Sequence, residues 1–182
     1  SEHDAQTRWF KEGVTQYVAL SSLHAIGRLE ERDILDEIAI ASDRYRRQVE
    51  ARFPPPTKAH THYPYDRGLL LAMGLDAAIR EDTGWSMGLQ GWLRALLTHA
   101  RQNPDWTYGT SELGSALAAV AGEQGNAMKL WRKACAHHSP LVLSRHFEQL
   151  GLHWLERDGT RAAKLVPLAG EKRGWRAMLT HH

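Results

Sequence analysis

The chain has 182 residues, enough for one domain with a substantial core and a small appendage. Its apolar fraction of 42%, its charged fraction of 24% and its net charge of +2 give no indication of a nucleic-acid or membrane surface. The single cysteine, Cys135, excludes an internal disulfide, and no transmembrane run or signal peptide is recognisable. An exported protein whose leader had been removed would look the same, so the localisation stays open.

The first predicted helix covers residues 8–26 and ends at Gly27, which suits a left-handed C-cap. Its apolar residues lie on two opposite faces, one formed by Phe10, Val14, Tyr17 and Ser21 and the other by Ala19, Leu23 and Ile26 together with Glu12. A helix that is apolar all round is normally buried, and we expect burial here. A second helix, residues 30–52, ends at the prolines of FPPP (53–56).

The third predicted helix begins near Tyr65 and continues to Arg80, and its dense apolar content predicts burial against the first helix. Further helices are predicted over residues 86–100, 110–121 and 126–137, with Ser86 and Thr110 as N-caps. A seventh helix is expected after the Ser-Pro pair 139–140 and ends at Gly151.

In residues 152–182 apolar and polar residues do not alternate regularly, as they would in a half-buried strand, although RDGT (157–160) is suited to the turn of a short hairpin. The sequence therefore predicts a mainly α fold, an orthogonal bundle of six to seven helices over residues 1–151. The remaining residues, 152–182, form a short and partly β tail in this prediction.

Glu12 is in an unusual position for a carboxylate if its helix is buried. A buried charge is unfavourable unless a Lys or Arg, a shared proton or a metal ion compensates it. The alternative is that Glu12 faces solvent in the first turn, where a negative charge favours the helix dipole. Its neighbour Gly13 permits close approach of another backbone, at a cost to the helix of about 1 kcal/mol.

The segment WFKEGVTQY (9–17) resembles the W-F-x-E-G-x-T-x-Y segment of gluzincin metallopeptidases, in particular the glycyl aminopeptidase family and its aminopeptidase N relatives. In that family the glutamate is the third protein ligand of the catalytic zinc, and the two histidines of an H-E-x-x-H helix are the others. The resemblance implies that Glu12 is a zinc ligand.

The segment YPYDRGLLLAMGLDAAIR (63–80) is similar to a second part of the same family, Y-x-K/R-G followed by a helix ending in L-D-x-x-x-R. The family's tyrosine stabilises the oxyanion formed when zinc-bound water attacks a peptide carbonyl, and Tyr65 falls on that position. Without the resemblance, Tyr65 would be a core tyrosine with a satisfied hydroxyl. Residues 85–97 and 139–152 resemble the family more weakly, so that the likeness covers most of residues 8–155.

No H-E-x-x-H occurs in the 182 residues, and such a site needs both histidines and the glutamate base of that motif. The family places the motif roughly twenty residues before the third ligand. We therefore expect a fragment of a longer zinc aminopeptidase, whose partners are a peptide substrate and the N-terminal remainder of the same protein. The fragment alone is expected to hold no zinc and to be inactive.

Two other interpretations remain open. One is a non-catalytic helical binding or scaffolding module that retains the metallopeptidase framework, and the other is an unrelated all-α protein. His60 with His62, and His137 with His138, form pairs that are more often solvated than metal-bound. Cys135 is expected to be a small core residue, and the basic cluster RYRRQ (44–48) a solvated helix face.

Overall fold

The computed structural model of the chain describes residues 7–50, 63–136, 152–157 and 160–167, together with residues 141, 148, 150, 174, 178 and 179. Helix α1 begins as a π-helical segment, Phe10–Val14, and continues as an α-helix over Thr15–Ala25. The other helices are α2 (Glu31–Glu50), α3 (Tyr63–Asp82), α4 (Leu89–Gln102), α5 (Thr110–Ala121) and α6 (Asn126–Cys135). The predicted mainly α, multi-helix fold is confirmed.

A two-stranded antiparallel sheet follows the helices, formed by β1 (Leu152–Arg157) and β2 (Thr160–Pro167). Arg157 lies opposite Thr160 in the antiparallel pairing, while residues 158 and 159 of the predicted RDGT turn lie outside the described residues. Strand β2 packs on α2. The predicted seventh helix, residues 139–151, lies almost entirely outside the described residues.

Helix α3 is the central element of the bundle, because every residue from Gly68 to Arg80 is buried. It contacts α1, α2 and α6 extensively, and its contact with the π-helical segment of α1 is the largest between any two helices. The prediction that the third helix packs against the first is therefore correct. Burial on all sides explains why this segment is apolar without a clear helical stripe.

Two carboxylates of α3 cap the helices that pack beside it. Oδ1 of Asp76 accepts a 2.6 Å hydrogen bond from the backbone N–H of Leu89 at the start of α4. Asp82 accepts hydrogen bonds from the N–H groups of Asn126 and Ala127 at the start of α6, at 2.8 and 2.9 Å. Each bond satisfies a backbone donor that has no partner within its own helix. The end of α3 thus fixes where α4 and α6 begin.

Both predicted N-caps differ from the observed ones. Ser86 does not cap α4, since its hydroxyl donates to the Thr83 carbonyl in the preceding turn. The side-chain cap comes instead from Asp76, across the bundle. Helix α5 is capped at Gly109, one residue before Thr110, where the Gly109 N–H donates to the Glu112 carboxylate at 2.8 Å.

The prediction that α1 is buried on both faces is wrong. Its first face, Phe10, Val14, Tyr17 and Ser21, is buried as expected. On the opposite face Ala19 is exposed, and Leu23 and Ile26 are 40% and 70% exposed. The prediction inferred burial from the presence of apolar residues on both faces. Burial also requires a neighbouring element, and no described element covers this face.

Candidate functional site

The two segments that resemble the metallopeptidase family meet at a contact between two glycines. A Cβ atom added to Gly68 in α3 would lie 2.7 Å from Cα of Gly13 in α1, and it would also overlap the Trp9 carbonyl. Real Cβ atoms do not approach other atoms this closely, so the backbones of α1 and α3 can touch only where both helices carry glycine. This glycine contact places Glu12 and the Tyr65 segment beside the same helix crossing.

The aromatic residues of the first segment are core residues. The Trp9 ring lies 5.5 Å from that of Trp131 in α6, and the Phe10 ring 5.3 Å from that of Trp92 in α4, measured between ring centroids. Both pairs are tilted or edge-on, as aromatic quadrupoles prefer. These contacts anchor the start of α1 to two other helices, which gives Trp9 and Phe10 a structural role.

Tyr17 and Thr15 of the first segment also have structural roles. The Tyr17 hydroxyl donates a 2.7 Å hydrogen bond to Oδ2 of Asp76, whose Oδ1 accepts from Nε of Arg80 at 3.1 Å. Burial, and after it the charge of Asp76, raises the pKa of Tyr17 well above its usual 10.0, so the phenol stays a donor. The Thr15 hydroxyl donates to the Lys11 carbonyl within the π-helical segment.

Two residues of the second segment, Asp66 and Arg67, are fixed by neighbouring helices. The buried Asp66 carboxylate accepts from Arg44 of α2, at 3.0 and 3.1 Å from Nε and 2.7 Å from Nη2. Arg67 donates to the Ala134 carbonyl of α6, and its guanidinium lies 5.9 Å from the centre of the Trp9 ring. Both residues therefore hold α3 in place.

The expectation that the whole RYRRQ cluster is solvated is wrong for Arg44. Its ion pair with Asp66 joins α2 to α3, and the hydrogen bonds that Arg44 donates to Asp66 raise the pKa of Arg44 above its ordinary value. Arg46 and Arg47, by contrast, are exposed, as expected of a solvated face. The expectation is also wrong for Tyr45, which is buried and whose hydroxyl accepts a 2.9 Å hydrogen bond from the backbone N–H of Leu141.

Glu12 and Tyr65 differ from the residues around them. Both are half-buried, and among the described residues neither the Glu12 carboxylate nor the Tyr65 hydroxyl has a hydrogen-bonding or ion-pairing partner. Glu12 lies in the π-helical segment, a rare backbone form that occurs frequently at functional sites. Tyr65 precedes Gly68 by three residues and so lies on the side of α3 that meets α1.

The described residues do not form a zinc site by themselves. Among them, no three His, Cys, Asp or Glu side chains converge in a group that could hold a metal ion. The pairs His60 with His62 and His137 with His138 lie outside the described residues. Cys135 is half-buried, and burial raises the pKa of its thiol to about 11.

Comparison with known proteins adds no relative. A scan against protein-family models found no match, and neither did a search of curated proteins or of solved structures. In the described part of the chain, none of the helices combines the length and the apolar character needed to cross a bilayer. The likeness to gluzincin peptidases therefore stays a prediction made from the two sequence segments.

Two relationships at the site were not predicted from the sequence. Arg44 was assigned to a solvated cluster, although its partner Asp66 lies 22 positions away in the next helix. The second is the hydrogen bond between Tyr17 and Asp76, which are 59 positions apart in the sequence. Locally, the sequence indicates only that Asp76 can pair with Arg80, which lies four residues later on the same helix.

Proposed function

We propose that this chain is the helical part of a zinc-dependent metallopeptidase with aminopeptidase-like activity in its complete form. Glu12 serves as the third protein ligand of the metal, and Tyr65 donates a hydrogen bond to the oxyanion formed at the peptide carbonyl. The two histidine ligands and the general base belong to an H-E-x-x-H helix encoded N-terminal to Ser1 in the natural polypeptide.

One observation carries this proposal. The two family-like segments meet at the contact of Gly13 with Gly68, and there most of their other side chains are engaged in the core or in hydrogen bonds. Glu12 and Tyr65 are left without polar partners among the described residues. No hydrogen bond or ion pair within the described part of the chain accounts for a carboxylate and a phenol at these half-buried positions.

The chemistry of the two side chains suits the assigned roles. A glutamate oxygen is a normal ligand of zinc, and a half-buried carboxylate is stabilised by a cation. A phenol O–H aimed at a developing negative charge is expected to contribute about 3 kcal/mol to the transition state, by analogy with other oxyanion donors.

The experiment compares the 182-residue chain with the longer natural polypeptide that includes the residues encoded before Ser1. Elemental analysis and a peptide-hydrolysis assay are run on both. We expect stoichiometric zinc and hydrolysis in the longer polypeptide, and neither in the 182-residue chain. Stoichiometric zinc bound by the short chain through Glu12 would contradict the proposed ligand set.

The second candidate is a non-catalytic binding or scaffolding module with the same framework. In such a module Glu12 binds no metal; the described residues, which contain no complete group of metal ligands, are compatible with both candidates. The residues encoded before Ser1 distinguish the two candidates, because the peptidase requires H-E-x-x-H there and the scaffolding module does not.

A further inference from the structure

The ion pair between Arg44 and Asp66 is well placed to control the neighbouring Tyr65. Asp66 is 1% exposed and follows Tyr65 directly in the first part of α3. Its carboxylate accepts three hydrogen bonds of 2.7 to 3.1 Å from Nε and Nη2 of Arg44. A bidentate contact between a guanidinium and a carboxylate fixes the relative orientation of the two groups as well as their distance, whereas a lysine ammonium fixes only the distance.

The phenol of Tyr65 has no polar anchor of its own among the described residues. Its position therefore depends on the backbone of the first turns of α3. Two contacts hold that backbone: the pairing of Asp66 with Arg44, and the close approach of Gly68 to Gly13. The glycine contact sets the distance between the helices, and the ion pair restrains rotation of α3 at the level of Tyr65.

Helix α2 also reaches α1 close to Glu12. Oε1 of Glu37 accepts a 3.4 Å hydrogen bond from Nε2 of Gln16, which lies one helical turn after Glu12. Glu37 and Arg44 are seven residues apart and lie on the same side of α2. The charge of Glu37 contributes to the raised pKa of Arg44, after the larger effect of Asp66.

We propose that Arg44 is a positioning residue, which holds Tyr65 at the correct place in the site through Asp66. The effect of this restraint on catalysis rests on the proposed function, in which Tyr65 stabilises the oxyanion. The restraint itself is a property of the folded chain and is measurable without a metal or a substrate.

The experiment uses ¹⁹F NMR of the whole chain labelled with 3-fluorotyrosine. The chain has five tyrosines, and the spectrum of Tyr65→Phe identifies the Tyr65 resonance. Arg44→Ala and Arg44→Gln are compared with the control Arg46→Ala, which removes an exposed arginine that pairs with Asp43 within α2. Amide hydrogen exchange of residues 67–70 and of α5 is measured on the same proteins.

We expect both Arg44 variants to shift the Tyr65 resonance and to leave that of Tyr108 in place. Exchange at residues 67–70 is expected to be about tenfold faster, with α5 unchanged. Arg44→Lys, which keeps the charge without the planar fork, should restore part of the shift. In the longer polypeptide the same variants should lower kcat without loss of zinc.

A Tyr65 resonance that moves no more in Arg44→Gln than in Arg46→Ala would overturn the proposal. Equal acceleration of exchange in α3 and α5 would also overturn it, because Arg44 would then support only global stability. If Arg44→Ala fails to fold, Arg44→Gln decides the question. A failed peptidase assay with a shifted Tyr65 resonance would refute the proposed function and leave the restraint intact.

Discussion

Tyr17 of α1 donates a 2.7 Å hydrogen bond to Oδ2 of Asp76 in α3, and both side chains are buried. The two helices are thus joined at two levels, by the glycine contact beside Glu12 and by this polar bond further along α1. Asp76 also accepts from Arg80 and from the N–H of Leu89. The same carboxylate therefore aligns α1, α3 and α4.

Removing the carboxylate of Asp76 is expected to destabilise the fold severely. Asp76→Ala takes the ion-pair partner from Arg80, which is 2% exposed, and should cost about 4 kcal/mol in the free energy of unfolding. Tyr17→Phe removes one hydrogen bond to a charged acceptor and should cost about 2 kcal/mol. Urea denaturation followed by circular dichroism measures both.

The control for these variants is Glu123→Ala, which removes an exposed ion pair with Arg132. Surface pairs of this kind contribute little, and the expected change is under about 1 kcal/mol. A loss in Asp76→Ala no larger than in this control would contradict the assigned role of the network.

Substitution of Gly13 by alanine is expected to separate α1 from α3. The new Cβ would overlap the backbone of Gly68, which cannot move aside as a flexible side chain can, and the cost should be about 3 kcal/mol or more. Gly91→Ala in α4 is the matched control, since its Cβ would come no closer than 3.3 Å to the Met87 side chain. Alanine's higher helix propensity there offsets much of that crowding.

Thermal unfolding of both glycine variants tests this prediction. We expect a lower Tm for Gly13→Ala and little change for Gly91→Ala. Equal Tm values for the two variants would show that the contact with Gly68 is not close in solution.

The stability of the chain is expected to fall in alkaline solution. Burial raises the pKa of Cys135 from 9.0 to about 11, so the unfolded chain loses the thiol proton at a lower pH than the folded chain does. The unfolded state then binds fewer protons, and the free energy of unfolding falls as pH rises from 9 to 11. The raised pKa of Tyr17 acts in the same direction above pH 10.

Urea denaturation between pH 7 and pH 11 measures this effect, with Cys135→Ala as the comparison. The stability of the wild type relative to the variant should be constant below pH 9 and should decline above it. A difference that does not change with pH would mean that the thiol is solvated in the folded chain.

Much of the fold follows from local sequence, whereas the relationships at the site depend on distant residues. The dense apolar run of α3 predicted its burial, and Gly13 predicted a close backbone approach. The exposure of Ile26 was not predictable, because periodicity does not reveal whether another element covers a face. The role of Arg44 was missed because it stands in one basic cluster with the exposed Arg46 and Arg47, while its pairing with Asp66 depends on the packing of α2 on α3.

Glu12 and Tyr65 are expected to be dispensable for folding. Because neither has a polar partner among the described residues, Glu12→Gln and Tyr65→Phe should change the free energy of unfolding by less than about 0.5 kcal/mol. Asp66→Asn, one residue from Tyr65, should cost about 2 kcal/mol because it removes a charge paired with Arg44. Urea denaturation of the three variants compares these values, and a large loss in Glu12→Gln would assign Glu12 a structural role.

The most direct test of the account is the zinc content of the full-length natural polypeptide, with and without Glu12→Gln. We predict one zinc ion per wild-type chain, a zinc affinity lowered at least about tenfold in Glu12→Gln, and full zinc content in Tyr65→Phe. Zinc bound as tightly by Glu12→Gln as by the wild type would contradict the assignment of Glu12 as a ligand.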